Sequence, residues 1–252
     1  MNNVDLSMCL GFDFSTTFQI AGAITVPLDA ADVGMLSSFA GACHIHVMDD
    51  HFADYVLSPA NIPAFAAIPG FPSAGPFTWL DVKQRGKDVL GNIGEAVAAI
   101  VAQEAFQLAT SDIAHLKVKH QVKTPDYIMR FDDAIAARIP KHYPALEPGV
   151  KPPEWWPVES KSADCNSDRR TAIKRAFRQL ASYWREEPSA AGFGLAVGYQ
   201  YMTTSRQRQN ILVSLFLPKT QATVQSRINA MTAAQMAKAE DDVALKGALH
   251  GC

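Results

Sequence analysis

The 252-residue sequence predicts a mixed α/β fold, a β-sheet with helices on its faces. Two observations carry that expectation. Residues 87–109 and 168–185 repeat apolar side chains at helical spacing. Around them lie short runs of β type, giving the order helix, strand, strand, strand, helix, strand, strand, helix. The apolar content, 48%, is ordinary for a globular protein, and the length suffices to bury a substantial core.

Along the chain, residues 12–26 and 44–48 are β-type runs, and residues 30–39 form a short helical piece. Residues 57–76 are rich in Pro, Gly, Ala and Ser and read as a loop. That loop marks a boundary between an N-terminal extension, residues 1–80, and a main domain, residues 81–252. In 87–109 the apolar stripe is Val89, Leu90, Ile93, Val97, Ile100, Val101 and Ala105. Residues 115–122 alternate apolar and polar and suit a strand. Residues 127–131 continue extended after Pro125, and 155–161 read as another strand, with an irregular, proline-containing stretch between them. In the helix at 168–185, Ser167 or Asp168 can cap the first turn by accepting its free N–H groups. Its expected buried stripe is Ala172, Ile173, Ala176, Phe177, Leu180, Ala181 and Trp184. Residues 193–201 and 211–217 read as strands, and 221–247, rich in alanine, as a helix.

Charge and cysteine usage narrow the function classes. The formal net charge is −2, which argues against a protein that is basic all over. Four cysteines (Cys9, Cys43, Cys165, Cys252) are scattered without a CxxC pair, as in a reduced intracellular protein rather than a disulfide scaffold. Cys43-His44-Ile45-His46 with His51 is the one cluster that resembles a zinc site. A strand would put His44 and His46 on one face, but no second half of a ligand set accompanies them, so the segment reads as a strand with two polar positions. No basic segment followed by an apolar run opens the sequence. Nor does any stretch of about 18 uncharged apolar residues occur. A cytoplasmic protein without a membrane partner is expected.

The chemistry concentrates in Thr124-Pro125-Asp126-Tyr127 and Val158-Glu159-Ser160-Lys161. Both sit at expected strands, and neighbouring strands lie about 4.8 Å apart, so a carboxylate from each can reach one ion. Glu159 and Lys161, two apart on a strand, point to the same face. Asp126 and Glu159 offer hard anionic oxygens that suit Mg²⁺ better than zinc, and the Ser160 carbonyl can add a third. Such a metal polarises a phosphate and lowers the pKa of a bound water, while Lys161 can orient that water or offset charge building on phosphorus. Asp132 or Asp133 is the alternative to Asp126, and the bland reading puts Glu159 and Lys161 on the exposed face of an edge strand.

Pro125-Asp126 and Glu159-Ser160-Lys161 together resemble the signature of the PD-(D/E)xK nuclease superfamily. The resemblance spans residues 87–217, about half the chain. It implies a restriction-endonuclease-like fold, a mixed β-sheet flanked by helices, preceded here by the N-terminal extension. It also implies a Mg²⁺-dependent deoxyribonuclease, with Mn²⁺ as a substitute, in which Asp126, Glu159 and Lys161 are catalytic. In many members a Glu on the helix before the Asp strand joins the metal. Gly94-Glu95 matches that position, with Glu104 as the alternative, so the implied ligands are Glu95, Asp126, Glu159 and Ser160. Gln179 and Tyr183 fit the QxxxY pattern of the branch resembling the nuclease domains of bacterial recombination helicase–nucleases. That likeness implies that they orient the site and contact DNA.

Between Arg169 and Arg185 the helix carries six basic residues, Arg169, Arg170, Lys174, Arg175, Arg178 and Arg185, and no acid. In a near-neutral protein this is a local positive field and reads as a phosphate-tracking face. The alternative, a solvated helix face, more often interleaves Glu with Arg. Residues 205–209, Ser-Arg-Gln-Arg-Gln, lie between two expected strands and can reach a groove. The expected partner is nucleic acid, DNA in the first instance, with room for a homodimer or a partner subunit. The competing reading is a catalytically silent DNA-binding or interaction module of the same fold.

Overall fold

Among the described residues, strand alternation and helical stripes assemble into one eight-stranded sheet with helices on both faces. In the computed structural model the described residues are 3–12, 19–45, 56–57, 74–75, 77, 86–116, 125–131, 152–163, 166–200 and 210–217. In chain order the elements are β1 (Asn3–Phe12), β2 (Gln19–Pro27), α1 (Ala30–Ile45), β3 (Val56–Leu57), α2 (Lys87–Phe106) and β4 (Ile113–Leu116). They continue with β5 (Tyr127–Arg130), β6 (Trp155–Ala163), α3 (Asn166–Glu186), β7 (Gly194–Gln200) and β8 (Asn210–Leu217). The sheet order is β2-β1-β8-β7-β6-β5-β4-β3. Only β6/β7 and β1/β8 run parallel. The first of these parallel pairs is joined through α3, the helical crossover that a parallel connection requires.

α2 buries every residue from Ile93 to Ala102, Glu95 included. A helix that is apolar nearly all round needs cover on all sides. It receives this from α1 packed along it and from β6 and β7 beneath it. Alanines at 96, 98, 99 and 102 keep that packing close. Gly94 makes the tightest approach: a Cβ there would stand 3.1 Å from the Ser162 Cβ. The helix ends on Gln107, in the left-handed region at φ 52°, with its N–H on the Gln103 carbonyl. The Asp112 carboxylate then accepts the Ala109 N–H at 2.9 Å and directs the chain into β4.

α3 covers the opposite face of the sheet. Ala172, Ala176, Leu180, Ala181 and Trp184 of its expected stripe are buried, and Arg175 and Arg185 are exposed. The Trp184 indole donates to the Phe193 carbonyl at 2.6 Å, tying α3 to the start of β7. Within β6 the side chains therefore divide by alternation. Trp156, Val158, Ser160 and Ser162 face α2, whereas Pro157, Glu159 and Lys161 face α3.

Several expectations need correction. The run at 12–26 touches two strands, β1, which ends at its first residue, and β2, which takes in 19–26. The alternation Val4, Leu6, Met8, Leu10, Phe12 begins the first of them, and β1 pairs in register with β8 from Asp5↔Asn210 to Phe12↔Leu217. The helical piece at 30–39 runs on to Ile45, so Cys43, His44 and Ile45 are helical and not a strand. Alanines 30, 31, 40 and 42 favour helix, and the Asp29 carboxylate caps its start on the Ala31 N–H at 2.8 Å. β1 and β2 extend the same sheet, and Leu28, Ala30, Val33 and Leu36 belong to the same core as α2. The expected helix at 221–247 and the loop at 205–209 lie outside the described residues, as do Asp132, Asp133, His46 and His51. Among the described residues no helix is long and apolar enough to cross a membrane.

Candidate active site

Antiparallel pairing of β5 and β6 matches Tyr127 with Val158, and Asp126 and Glu159 are the residues next along the chain beyond that last pair. Asp126 sits on a bend just ahead of β5, and that bend lets its carboxylate leave the strand direction. Its Oδ2 accepts two hydrogen bonds from one residue, the Ser160 backbone N–H and the Ser160 hydroxyl, each at 2.7 Å. Hydrogen bonds to an ionised acceptor are short and strong. The acid of the Pro-Asp segment is thus fixed to the middle residue of Glu159-Ser160-Lys161.

Glu159 is fully buried. A buried carboxylate must be paired. The Lys161 ammonium pairs with its Oε1 and also donates to the Ser160 carbonyl at 2.9 Å. The Gln179 side-chain amide donates to its Oε2 at 2.9 Å from α3. Lys161 itself keeps a quarter of its side chain exposed. Tyr183, one turn beyond Gln179, is buried. Burial, then the nearby Glu187 carboxylate, pushes its phenol up to about 12.

On the α2 side Glu95 is buried, and its Oε2 lies 2.9 Å from His115 Nε2 on β4. Glu95 is close enough to bear on Asp126. Burial first, and then the Glu95 charge, push the Asp126 carboxyl above its ordinary value; Lys161 and the two Ser160 hydrogen bonds pull it down and are outweighed. Glu104, the alternative to Glu95, is exposed.

The structure joins Asp126, Glu159, Ser160, Lys161 and Gln179 in one hydrogen-bonded chain, with Glu95 beside it. It does not draw the three acids to a single point. Glu95 turns to His115, Asp126 to Ser160, and Glu159 to Lys161 and Gln179. Among the described residues no group of three or more His, Cys, Asp or Glu is set to hold a metal ion. The donor set nonetheless suits a hard divalent cation in chemical type: two carboxylates and the Ser160 carbonyl, all oxygen. An ammonium already rests against the Glu159 carboxylate and that carbonyl, and Asp126 resists ionising with Glu95 nearby.

Arg169, Arg170, Lys174 and Arg178 all lie on α3, the helix that carries Gln179; their side chains lie outside the described residues. Two contributors were not legible beforehand. His115 read only as a strand residue, although a histidine among Ile113, Ala114 and Leu116 is a polar group with apolar neighbours. Ser160 read as a carbonyl donor, whereas its N–H and hydroxyl hold Asp126.

The comparisons with known proteins add no relative. No protein-family model, no curated protein and no solved structure matches the chain.

Proposed function

We propose that this chain is a metal-dependent nuclease that hydrolyses phosphodiester bonds in DNA, with a sheet and helices of the restriction-endonuclease-like type. The observation that carries the reading is the double hydrogen bond from Ser160 to Asp126, which ties the Pro-Asp acid to the Glu-x-Lys strand. That bond sets Asp126 against the strand that carries Glu159 and Lys161, at one end of β5 and β6.

In this reading Asp126, Glu159 and the Ser160 carbonyl would hold Mg²⁺ or Mn²⁺, with Glu95 adjoining. When bound, the cation supplies Lewis-acid polarisation of the phosphate and a water acidic enough to attack near neutral pH. Lys161 offsets negative charge as it develops on the phosphoryl oxygens. Gln179 holds Glu159 in one rotamer, so that the carboxylate does not reorganise during the reaction. The basic residues of α3 contribute sequence-independent attraction to phosphate. Lys161 keeps a quarter of its side chain exposed, and in this reading it faces the side from which a substrate strand approaches.

The test is nicking of supercoiled plasmid, followed by a panel of duplex, single-stranded, branched and RNA substrates, with Mg²⁺ or Mn²⁺ against EDTA. Wild-type protein should cut only with metal, and Glu159→Ala should not cut. Wild-type protein that binds DNA but leaves every substrate intact with either metal would point instead to the silent binding module.

A further inference from the structure

The sequence reading and the proposed mechanism give Glu95 a place at the metal but leave its buried partner, His115, without a role. His115 and Glu95 are 1% and 7% exposed, and they meet at 2.9 Å between β4 and α2. Two polar side chains in an otherwise apolar layer are a poor way to join a helix to a strand, since well-packed apolar residues would serve as well or better. The pair is also placed next to the site. His115 stands opposite Tyr127 in the β4/β5 register and meets its ring edge-on, with centroids 4.8 Å apart. The next residue, Leu116, donates its N–H to the Asp126 carbonyl at 2.8 Å. One two-residue piece of β4 therefore touches Glu95 through a side chain and Asp126 through its backbone.

We infer that His115 is a positioning residue of the metal site, which holds the Glu95 carboxylate in place by donating its Nε2–H to Oε2. As a metal ligand Glu95 is ionised and only accepts hydrogen bonds, which puts the proton on Nε2. The direction of this bond fixes both the tautomer and the rotation of the carboxylate. Partners of this kind, one bond removed from a cation, typically contribute about 10–100-fold to metal affinity. The inference rests on the metal-dependent reading above and goes beyond it in assigning a role to β4.

The experiment is Mn²⁺ binding to metal-stripped protein, measured by calorimetry and by the electron paramagnetic resonance of free Mn²⁺. The proteins compared are wild type, His115→Leu, His115→Gln, Glu95→Ala and the double variant Glu95→Ala/His115→Leu. His115→Leu should weaken binding by about 10-fold or more. His115→Gln, whose amide can donate from a similar position, should recover most of the loss. In the Glu95→Ala background His115→Leu should add nothing, because its effect runs through that carboxylate. Imidazole ¹⁵N shifts of metal-free wild-type protein should show the Nε2–H form. Wild-type-like Mn²⁺ affinity in His115→Leu, or equal losses in both backgrounds, overturns the positioning role and leaves the nuclease reading standing. Failure of wild-type protein to bind Mn²⁺ overturns both.

Discussion

β6 separates two buried glutamates that are stabilised in different ways. Glu159, on the α3 side, is met by an ammonium and an amide, and the ammonium reaches solvent. Glu95, on the α2 side, is met by an imidazole sealed between a strand and a helix that is itself covered by α1. Taking a carboxylate out of water costs several kcal/mol, so each must have its partner, but only the first has one that carries charge at neutral pH without help. The α3 side is thus the charged and accessible half of the site, and the α2 side is its scaffold. Asp126, at the seam between them, feels both: Glu95 pushes its carboxyl up, while Lys161 and Ser160 pull it down.

Perturbing the accessible half should give the largest response. Lys161→Met removes the cation beside a fully buried carboxylate. Cleavage should fall by about 100–1,000-fold, and chemical denaturation should show a loss of about 1–3 kcal/mol, kept below the cost of a sealed pair because Lys161 is partly exposed. Stability unchanged from wild type would show that Glu159 does not depend on Lys161. Gln179→Leu should come next. It removes one hydrogen bond to a charged group, worth about 1.5–3 kcal/mol, and should lower turnover more than it alters DNA affinity. A variant defective only in DNA affinity would place Gln179 at the substrate instead of behind Glu159.

The seam residue gives a smaller effect with a defined sign. A carboxyl raised above its ordinary value of 3.8 binds its proton more tightly in the folded protein. That contribution favours the fold below the unfolded value and is lost as pH rises through the folded one. Above both values the cost of ionising Asp126 therefore weakens the metal-free fold. Asp126→Asn, which can still accept from Ser160, should raise the Tm of metal-free protein by a few degrees at neutral pH, and the gain should fade in acid. A gain that grows in acid contradicts the raised carboxyl. Tyr183→Phe should matter least, within about 1.5 kcal/mol, and spectrophotometric titration should lose a phenol that ionises at about 12.

How much of this could be read in advance follows from the range of each interaction. α2, α3 and the strands β5 to β8 announce themselves through local periodicity, and all five described members of the α3 stripe are buried. The Gln179-to-Tyr183 spacing and the Glu-x-Lys pattern are likewise local, so these site residues were visible as a set. The parallel pairing of β1 with β8 joins residues 5–12 to 210–217, and no window of sequence contains it. The contact between Glu95 and His115 spans a helix end, a turn and a strand start, so neither residue reveals the other. At 44–46, alternating His and Ile fit a strand, but the helix begun at Ala30 continues through Ile45 and carries His44 and Ile45 with it.

The most direct test of the site is diffraction from crystals grown or soaked with Mn²⁺, recorded at a wavelength where manganese scatters anomalously. A single peak should lie within about 2.2 Å of oxygens from both Asp126 and Glu159 and of the Ser160 carbonyl, with the Lys161 ammonium moved off Glu159. Saturating Mn²⁺ with no peak there, and Lys161 still paired with Glu159, would contradict a shared cation and with it the nuclease chemistry.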